Sequence, residues 1–536
     1  MPNQENNALE DHPGSLRAVP ARRRLGWPAQ GAVLGAALLL SACAVGPDFK
    51  TPGLPAAAQG ASYTPDTPAP MPARTAQANV PGGQSQELLA GRDIPAQWWE
   101  VFRSEPLDQL VRASLAQSPT LASAQAALRE AEASYEATSG NLLWPKVDAQ
   151  LGVQRQRASE ITTKTAGGQL LTLYNASVNV SYNPDVFGGT RRQLEGAQAA
   201  VDTQRYQLEA VYLTLTGNLV TTAIREASLR AQLQAVREVL QAQREQLGVI
   251  EKQFDTGAIP KSIVLQQRTQ VAQTLATLPP IEKALAQTRH QLAVFAGRLP
   301  SEAGLPEFEL ASLTLPQALP LSLPSELARQ RPDVRASEAQ LHQASAAIGV
   351  ATANLYPQFQ LTASYGNNSL RARDLFTGPT TLWSVGAGLA QPLFHGGALR
   401  AQQRAAVAAY DAAAAQYRST VLGAFQNVAD ALRALESDAT ALQNQANAEV
   451  LARQSLDLTT AQFRAGAVSY VTLLTAQQAW LQTHTALVQA QAARYADTAA
   501  LFQALGGGWW NRGELANAVI APAAEAPASA GAPARN

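Results

Sequence analysis

A chain of 536 residues with 41 basic and 41 acidic side chains has no net charge, so bulk electrostatics give no reason to expect nucleic acid or an acidic partner. Its single cysteine excludes an internal disulfide framework, and its two methionines give no support to a relay for soft metal ions.

In chain order, the first predicted element is an export signal. Arg22, Arg23 and Arg24 form a positive region, and Gly31 to Leu40 form an apolar run far shorter than the roughly 20 residues a bilayer span needs. The run ends at Leu40-Ser41-Ala42-Cys43, where small residues precede the one thiol. This resembles a lipobox, which implies cleavage before Cys43 and fatty acylation of that residue as the new N-terminus. Ala44 stands where an aspartate would resemble an inner-membrane retention signal, so sorting to the outer membrane is expected. From Thr51 to Gly91 the chain is rich in Pro, Ala, Gly and Gln and reads as an extended tether. Residues 516–536 have the Ala/Pro bias of a disordered tail.

Between these ends the sequence repeats itself at an interval of about 210 residues. Asn141-Leu-Leu-Trp-Pro145 is answered by Asn354-Leu-Tyr-Pro357, and Asp185-Val-Phe-Gly-Gly189 by Leu393-Phe-His-Gly-Gly397. Phe254-Asp-Thr-Gly257 is answered by Phe463-Arg-Ala-Gly466, and Phe295-Ala-Gly297 by Ala504-Leu-Gly506. The expected division is therefore a signal peptide at 1–42, an acylated start and linker at 43–92, one structural repeat at 93–310, a second at 311–512, and a tail at 513–536.

Each repeat opens with an Ala-rich helix, near 118–141 and 332–354, that stops at a Trp-Pro or Tyr-Pro step. Two alternating strands follow. In the first repeat Val147, Ala149, Leu151 and Val153, then Tyr174, Ala176, Val178, Val180 and Tyr182, alternate with polar or small residues. In the second, Phe359, Leu361, Ala363 and Tyr365, then Trp383, Val385, Ala387 and Leu389, do the same. Period-two patterning gives one apolar and one polar face. A soluble sandwich would bury the apolar faces. Isolated strand pairs, nearly uncharged polar faces and aromatics near strand ends favour a membrane barrel around a water-filled lumen. Four strands cannot close a barrel alone, so the chain must associate, two copies giving eight strands and three giving twelve.

A very long helix comes next in each repeat, near 191–255 and 398–464, each reaching roughly 100 Å. Their Ala-rich seams and narrow apolar stripes suit a tube wall. Gly257 and Gly466 supply the left-handed turns that reverse the helices at the tip opposite the sheet.

With these motifs in place, the sequence resembles the outer-membrane efflux protein family (the TolC-like and OprM-like channels), in its NodT-type lipoprotein branch. The resemblance covers Cys43 to Trp510 and rests on Cys43-Ala-Val-Gly-Pro-Asp-Phe49, Trp98-Trp99-Glu-Val-Phe102, Arg331-Pro-Asp-Val-Arg335, Phe394-His-Gly-Gly397, Phe463-Arg-Ala-Gly466 and Leu505-Gly-Gly-Gly-Trp-Trp510, with the Asn354 motif. It implies a mainly helical chain with membrane β-structure, assembling as a homotrimer with a twelve-stranded barrel and a periplasmic helical tube. It also implies a role as the outer-membrane duct of a tripartite efflux system, with a periplasmic adaptor, an inner-membrane pump and outer-membrane lipid as partners. Asp255, Thr256, Gly257 and Ala258, with Arg464, Ala465, Gly466 and Ala467, become the adaptor-docking tips. Relatives often carry gate aspartates just past the tip. Here Lys261, Ile263, Thr472 and Thr475 are the gate candidates, which implies weaker cation selectivity. Arg331-Pro-Asp-Val-Arg335 reads as a helix start, with Pro332 early and Asp333 at the positive end.

His12, His290, His342, His395 and His484 show no metal-ligand spacing, and no nucleophile elbow or phosphate loop is present. No cofactor and no enzymatic activity are expected. A passive coiled-coil spacer would not need the strands. A duct for secreted polypeptides, of the type I secretion kind, would have the same barrel and tube and is the alternative reading.

Overall fold

The computed structural model describes residues 44–53, 63, 74–159, 161, 169–302, 304–322 and 324–512. The signal peptide, Cys43, His12 and the C-terminal tail lie outside the described residues. Helix α1 (Glu105–Gln117) leads into α2 (Pro119–Leu143), where the Ser118 hydroxyl accepts from the Leu121 amide as an N-cap. The Trp-Pro step ends α2, and strands β2 (Lys146–Ala158) and β3 (Gln169–Tyr182) follow. Helices α3 (Gly189–Asp255) and α4 (Lys261–Phe295) complete the first repeat. After the short helix α5 (Pro324–Gln330), the second repeat runs α6 (Pro332–Ala353), β5 (Gln358–Ser369), β6 (Thr381–Ala390), α7 (Ala398–Arg464) and α8 (Tyr470–Ala504).

The two halves have the same dimensions. Helices α3 and α7 each have 67 residues, and α4 and α8 each have 35. Their bounds are offset by 209 throughout: 189 and 398, 255 and 464, 261 and 470, 295 and 504. At 1.5 Å per residue, α3 and α7 are about 100 Å long. Among the described residues no helix is long and apolar enough to cross a membrane.

The strands form an antiparallel sheet in the order β2-β3-β5-β6. The helices adjoining them pack in the matching order α2-α3-α6-α7, and in the half nearer the tips α4-α3-α8-α7. Each layer thus has four positions and two uncovered flanks.

Two further strands differ from the sequence reading. Strand β1 (Glu87–Ala90) pairs in parallel with β4 (Ala318–Leu321), so the described residues hold six strands rather than four. Part of the stretch read as a tether is therefore fixed in the fold. Gln86, fully buried, donates to the Pro316 carbonyl and the Thr498 hydroxyl. Burial without those partners would be costly, so the polar side chain specifies where the segment docks.

This sheet belongs to a belt around the middle of the helices, where the main core lies. Trp98, Trp99 and Phe102 from a 3-10 turn pack with Leu219 and Ile224 of α3, Val428 of α7, and Tyr495 and Phe502 of α8. Trp98 stacks on Phe502 at 5.7 Å and meets Trp99 edge-on. Two buried charges bind loops to this core. Glu226 accepts from Arg230 (2.6 Å), Arg289 (3.0 Å) and the Phe308 amide (2.9 Å). Arg494 donates to the Leu435 and Gln84 carbonyls and the Thr75 hydroxyl.

Candidate channel wall and docking tips

Register decides what the sheet can face. Ala149, Val178, Tyr365 and Trp383 lie in one row across it, and Val147, Val180, Ala363 and Val385 in the next. The opposite face carries Asp148, Asn179, Ser364 and Ser384 in a row, with the two serine hydroxyls 2.8 Å apart. The apolar face is uncovered: Leu151 is 77% exposed, Val385 76% and Trp383 73%. From Tyr174 to Tyr182 the apolar stretch is about 26 Å along the strand. Tilted as in membrane barrels it spans about 20 Å, close to the height of their apolar bands. Beyond Val153 the same face turns charged, with Arg155 and Arg157 at the outer end of β2.

At the junction of sheet and helices, residues 44–53 lie against α3 and α6. The Val45 amide donates to the Phe187 carbonyl, and Arg192 pairs with Asp48 at 2.6 Å. Phe49 stacks on His342 at 4.3 Å, and His342 faces the Glu195 carboxylate at 2.8 Å. Gly188 has a positive φ of 79°, and a Cβ there would lie 2.7 Å from the Ala44 Cα, so glycine serves both the turn and the close approach.

At the far end both hairpins reverse by the same device. The Gly257 amide donates to Phe254 and the Ala258 amide to Gln253; the Gly466 amide donates to Phe463 and the Ala467 amide to Gln462. These are Schellman closures, with each glycine at φ 74°. All eight predicted tip residues, Asp255 to Ala258 and Arg464 to Ala467, are exposed. Beneath them one apolar cluster joins the two hairpins through Ile250, Val264, Tyr470 and Leu473, with Ile259 and Phe463 packed on it. Sequence reasoning missed this cluster; its signal is the apolar residue two places past the first tip glycine, Ile259. Burial raises the Tyr470 hydroxyl above its ordinary pKa, and among the described residues it has no hydrogen-bond partner.

The four gate candidates occupy different settings. Lys261 opens α4 in solvent, whereas Ile263 packs on the tip cluster. The Thr472 hydroxyl is 2.9 Å from that of Ser469, the N-cap of α8, and Thr475 donates to the Val471 carbonyl. Arg331-Pro-Asp-Val-Arg335 begins α6 with Pro332 in the first turn. Arg331 holds both Asp333 oxygens and the Ala504 carbonyl, tying this helix start to the end of α8. His484 lies 3.2 Å from Glu449 and stacks on Trp480, while His290 and His395 are exposed. Among the described residues no group of three His, Cys, Asp or Glu side chains could hold a metal ion.

A family profile described as outer membrane efflux protein matches residues 110–298 and again 323–507, once in each repeat. The chain belongs to the outer membrane efflux protein family. Its members are transport proteins, and this chain is an outer-membrane efflux component. It is 30% identical over 446 residues to the pyoverdine export outer membrane protein OpmQ of Pseudomonas putida, covering 82% of this chain and 94% of that one. It is 28% identical over 486 residues to the toluene efflux pump outer membrane protein TtgC of Pseudomonas putida, covering 90% and 96%. The solved outer-membrane channel OprN superposes with a TM-score of 0.77 at 27% identity, covering 87% of this chain and all of that chain.

Proposed function

We propose that three copies of this chain close into a twelve-stranded barrel continuous with a helical tube, through which small molecules leave the periplasm. The observation that carries this reading is the sheet with one apolar face, one polar face and unpaired edges at β2 and β6. Backbone groups in hydrocarbon must be paired, so an open four-stranded sheet cannot cross a bilayer, whereas a closed ring of such sheets can. The strands alternate in direction, so β6 of one copy would meet β2 of the next in the antiparallel sense used elsewhere in the sheet. Export of pyoverdine and toluene by relatives favours small-molecule cargo. The chain acts as a conduit and not as an enzyme.

Cys43 is the acylated residue. It immediately precedes Ala44, which packs at the base of the sheet, where a lipid anchor would meet the inner leaflet surface. The exposed tips around Gly257 and Gly466 dock a periplasmic adaptor and, through it, an inner-membrane pump. Lys261, Thr472 and Thr475 lie at the constriction, with Ile263 supporting it from the tip cluster. With no carboxylate among them, cation selectivity is weak.

The test is native mass together with single-channel recording in a planar bilayer. Discrete conductance from a particle of three copies is expected. A monomeric particle without conductance would overturn the reading. Reversal potentials under a salt gradient test the gate separately, and strong cation preference would remove its assignment.

A further inference from the structure

We propose that Arg155 and Arg157 bind the phosphate groups of the glycolipid that builds the outer leaflet of the outer membrane. The inference rests on the membrane-barrel reading and adds a lipid partner for one rim of the sheet.

Strand β2 carries these arginines on its apolar face. Alternate positions run Val147, Ala149, Leu151, Val153, Arg155 and Arg157, so both guanidinium groups share the side of Leu151 rather than that of Gln150. Both side chains are exposed. Their cross-strand neighbours on β3 are Thr172 and Leu170, and Ser369 of β5 lies opposite Tyr174 one step lower, so no acid shares this rim. Leu170 is 59% exposed beside Arg157, which leaves an aliphatic contact next to the cation.

Height follows from strand geometry. The arginines lie about 7 and 13 Å past Val153 along the strand, or about 5 and 10 Å in height at the tilt of a membrane barrel. That is just beyond the apolar band, where a lipid-facing side chain meets headgroups. Arginine suits a phosphate there, because its planar fork of donors matches two phosphate oxygens while its stem lies along apolar surface.

Two contrasts identify the partner. Charges meant for cargo would sit on the lumen face, but there β2 carries Gln154 and Gln156, the first donating to the second at 3.4 Å. The lipid face is also asymmetric along its length. At the end nearer the helices its strands present Val147, Tyr182, Phe359 and Leu389 and no charge. The cations stand only at the end remote from the helical tube. A leaflet of multiply phosphorylated glycolipid on that side, facing ordinary phospholipid on the other, matches this distribution.

The experiment titrates the detergent-purified, full-length protein with bisphosphorylated lipid A, dephosphorylated lipid A or phosphatidylglycerol, and counts bound lipid by native mass. Bisphosphorylated lipid A should bind about tenfold or more weakly to Arg155→Gln with Arg157→Gln, as expected for lost charge-assisted hydrogen bonds. Arg155→Lys with Arg157→Lys should recover part of that loss, and Lys146→Gln, on the lumen face, should cause none. Dephosphorylated lipid A should bind the unaltered chain as weakly as bisphosphorylated lipid A binds the double glutamine variant. Binding that is absent from the unaltered chain, or indifferent to both arginines, overturns the site. Phosphatidylglycerol held as tightly as bisphosphorylated lipid A overturns the glycolipid as its partner. Bilayer recording separates this inference from the reading beneath it. Three-copy particles that conduct while lipid A ignores the arginines overturn the site alone, whereas an unaltered chain that is monomeric and silent overturns the barrel and the site with it.

Discussion

The belt and the sheet use apolar residues in opposite ways. In the belt Trp98, Trp99, Phe102 and Phe502 are all within 2% of full burial, while in the sheet Trp383 and Val385 stand mostly exposed. The belt's apolar side chains are buried within one copy, covered by its own helices and loops. On the proposed reading, the sheet is complete only in a setting that supplies hydrocarbon on one face, water on the other and a strand at each edge. Only the belt is closed by its own chain.

That contrast can be broken at either end. The largest effect is expected for Trp98→Ala, which removes a stacked ring from the centre of the belt; about 3–5 kcal/mol of stability should be lost, read by denaturant unfolding of the helical signal. Val385→Arg puts a charge on the apolar face and should cost about 2–4 kcal/mol of membrane insertion. Its neighbour Ser384→Arg, on the polar face, should leave insertion intact and shift the reversal potential. Fractionation and bilayer recording separate the two, and equal effects on insertion would refute the assignment of faces. At the tip, Gly466→Ala meets open space but must hold φ at 74°, so a loss of about 1 kcal/mol is expected, confined to hydrogen exchange at the tip.

The subtlest test lies where α7 meets α8. Burial, then the hydrogen bond and charge of Asp438, push the Asp497 carboxyl up to about 8 against the pull of Arg494. Between about pH 4 and pH 8 the folded chain holds a proton there that the unfolded chain has released. Stability should therefore fall as pH rises through that window. Asp497→Asn should flatten the dependence, and thermal unfolding at pH 5 and pH 8 checks it. An unchanged slope would place the titration elsewhere.

What could be read from sequence follows from how local each signal is. Strands β2, β3, β5 and β6 declare themselves because alternation is written residue by residue, and the tips because a left-handed turn needs glycine. The pairing of β1 with β4 was illegible: four residues each, Glu-Leu-Leu-Ala and Ala-Leu-Pro-Leu, carry no periodicity, and they meet only because Gln86, Thr498 and Arg494 converge from distant segments. The gate candidates were named by distance from a glycine. That distance says nothing about rotation, so Ile263 and Thr475 fell on one list although one packs inward and the other faces solvent.

The matched helix lengths carry a consequence for how such a chain can change. Because α3 and α7 are both 67 residues long, the two tips end at corresponding levels. Deleting seven residues from α3 and seven from α4 would withdraw one tip by about 10 Å and leave the other in place. Length is thus a shared variable of the two halves, and a viable insertion or deletion in one hairpin calls for its twin in the other.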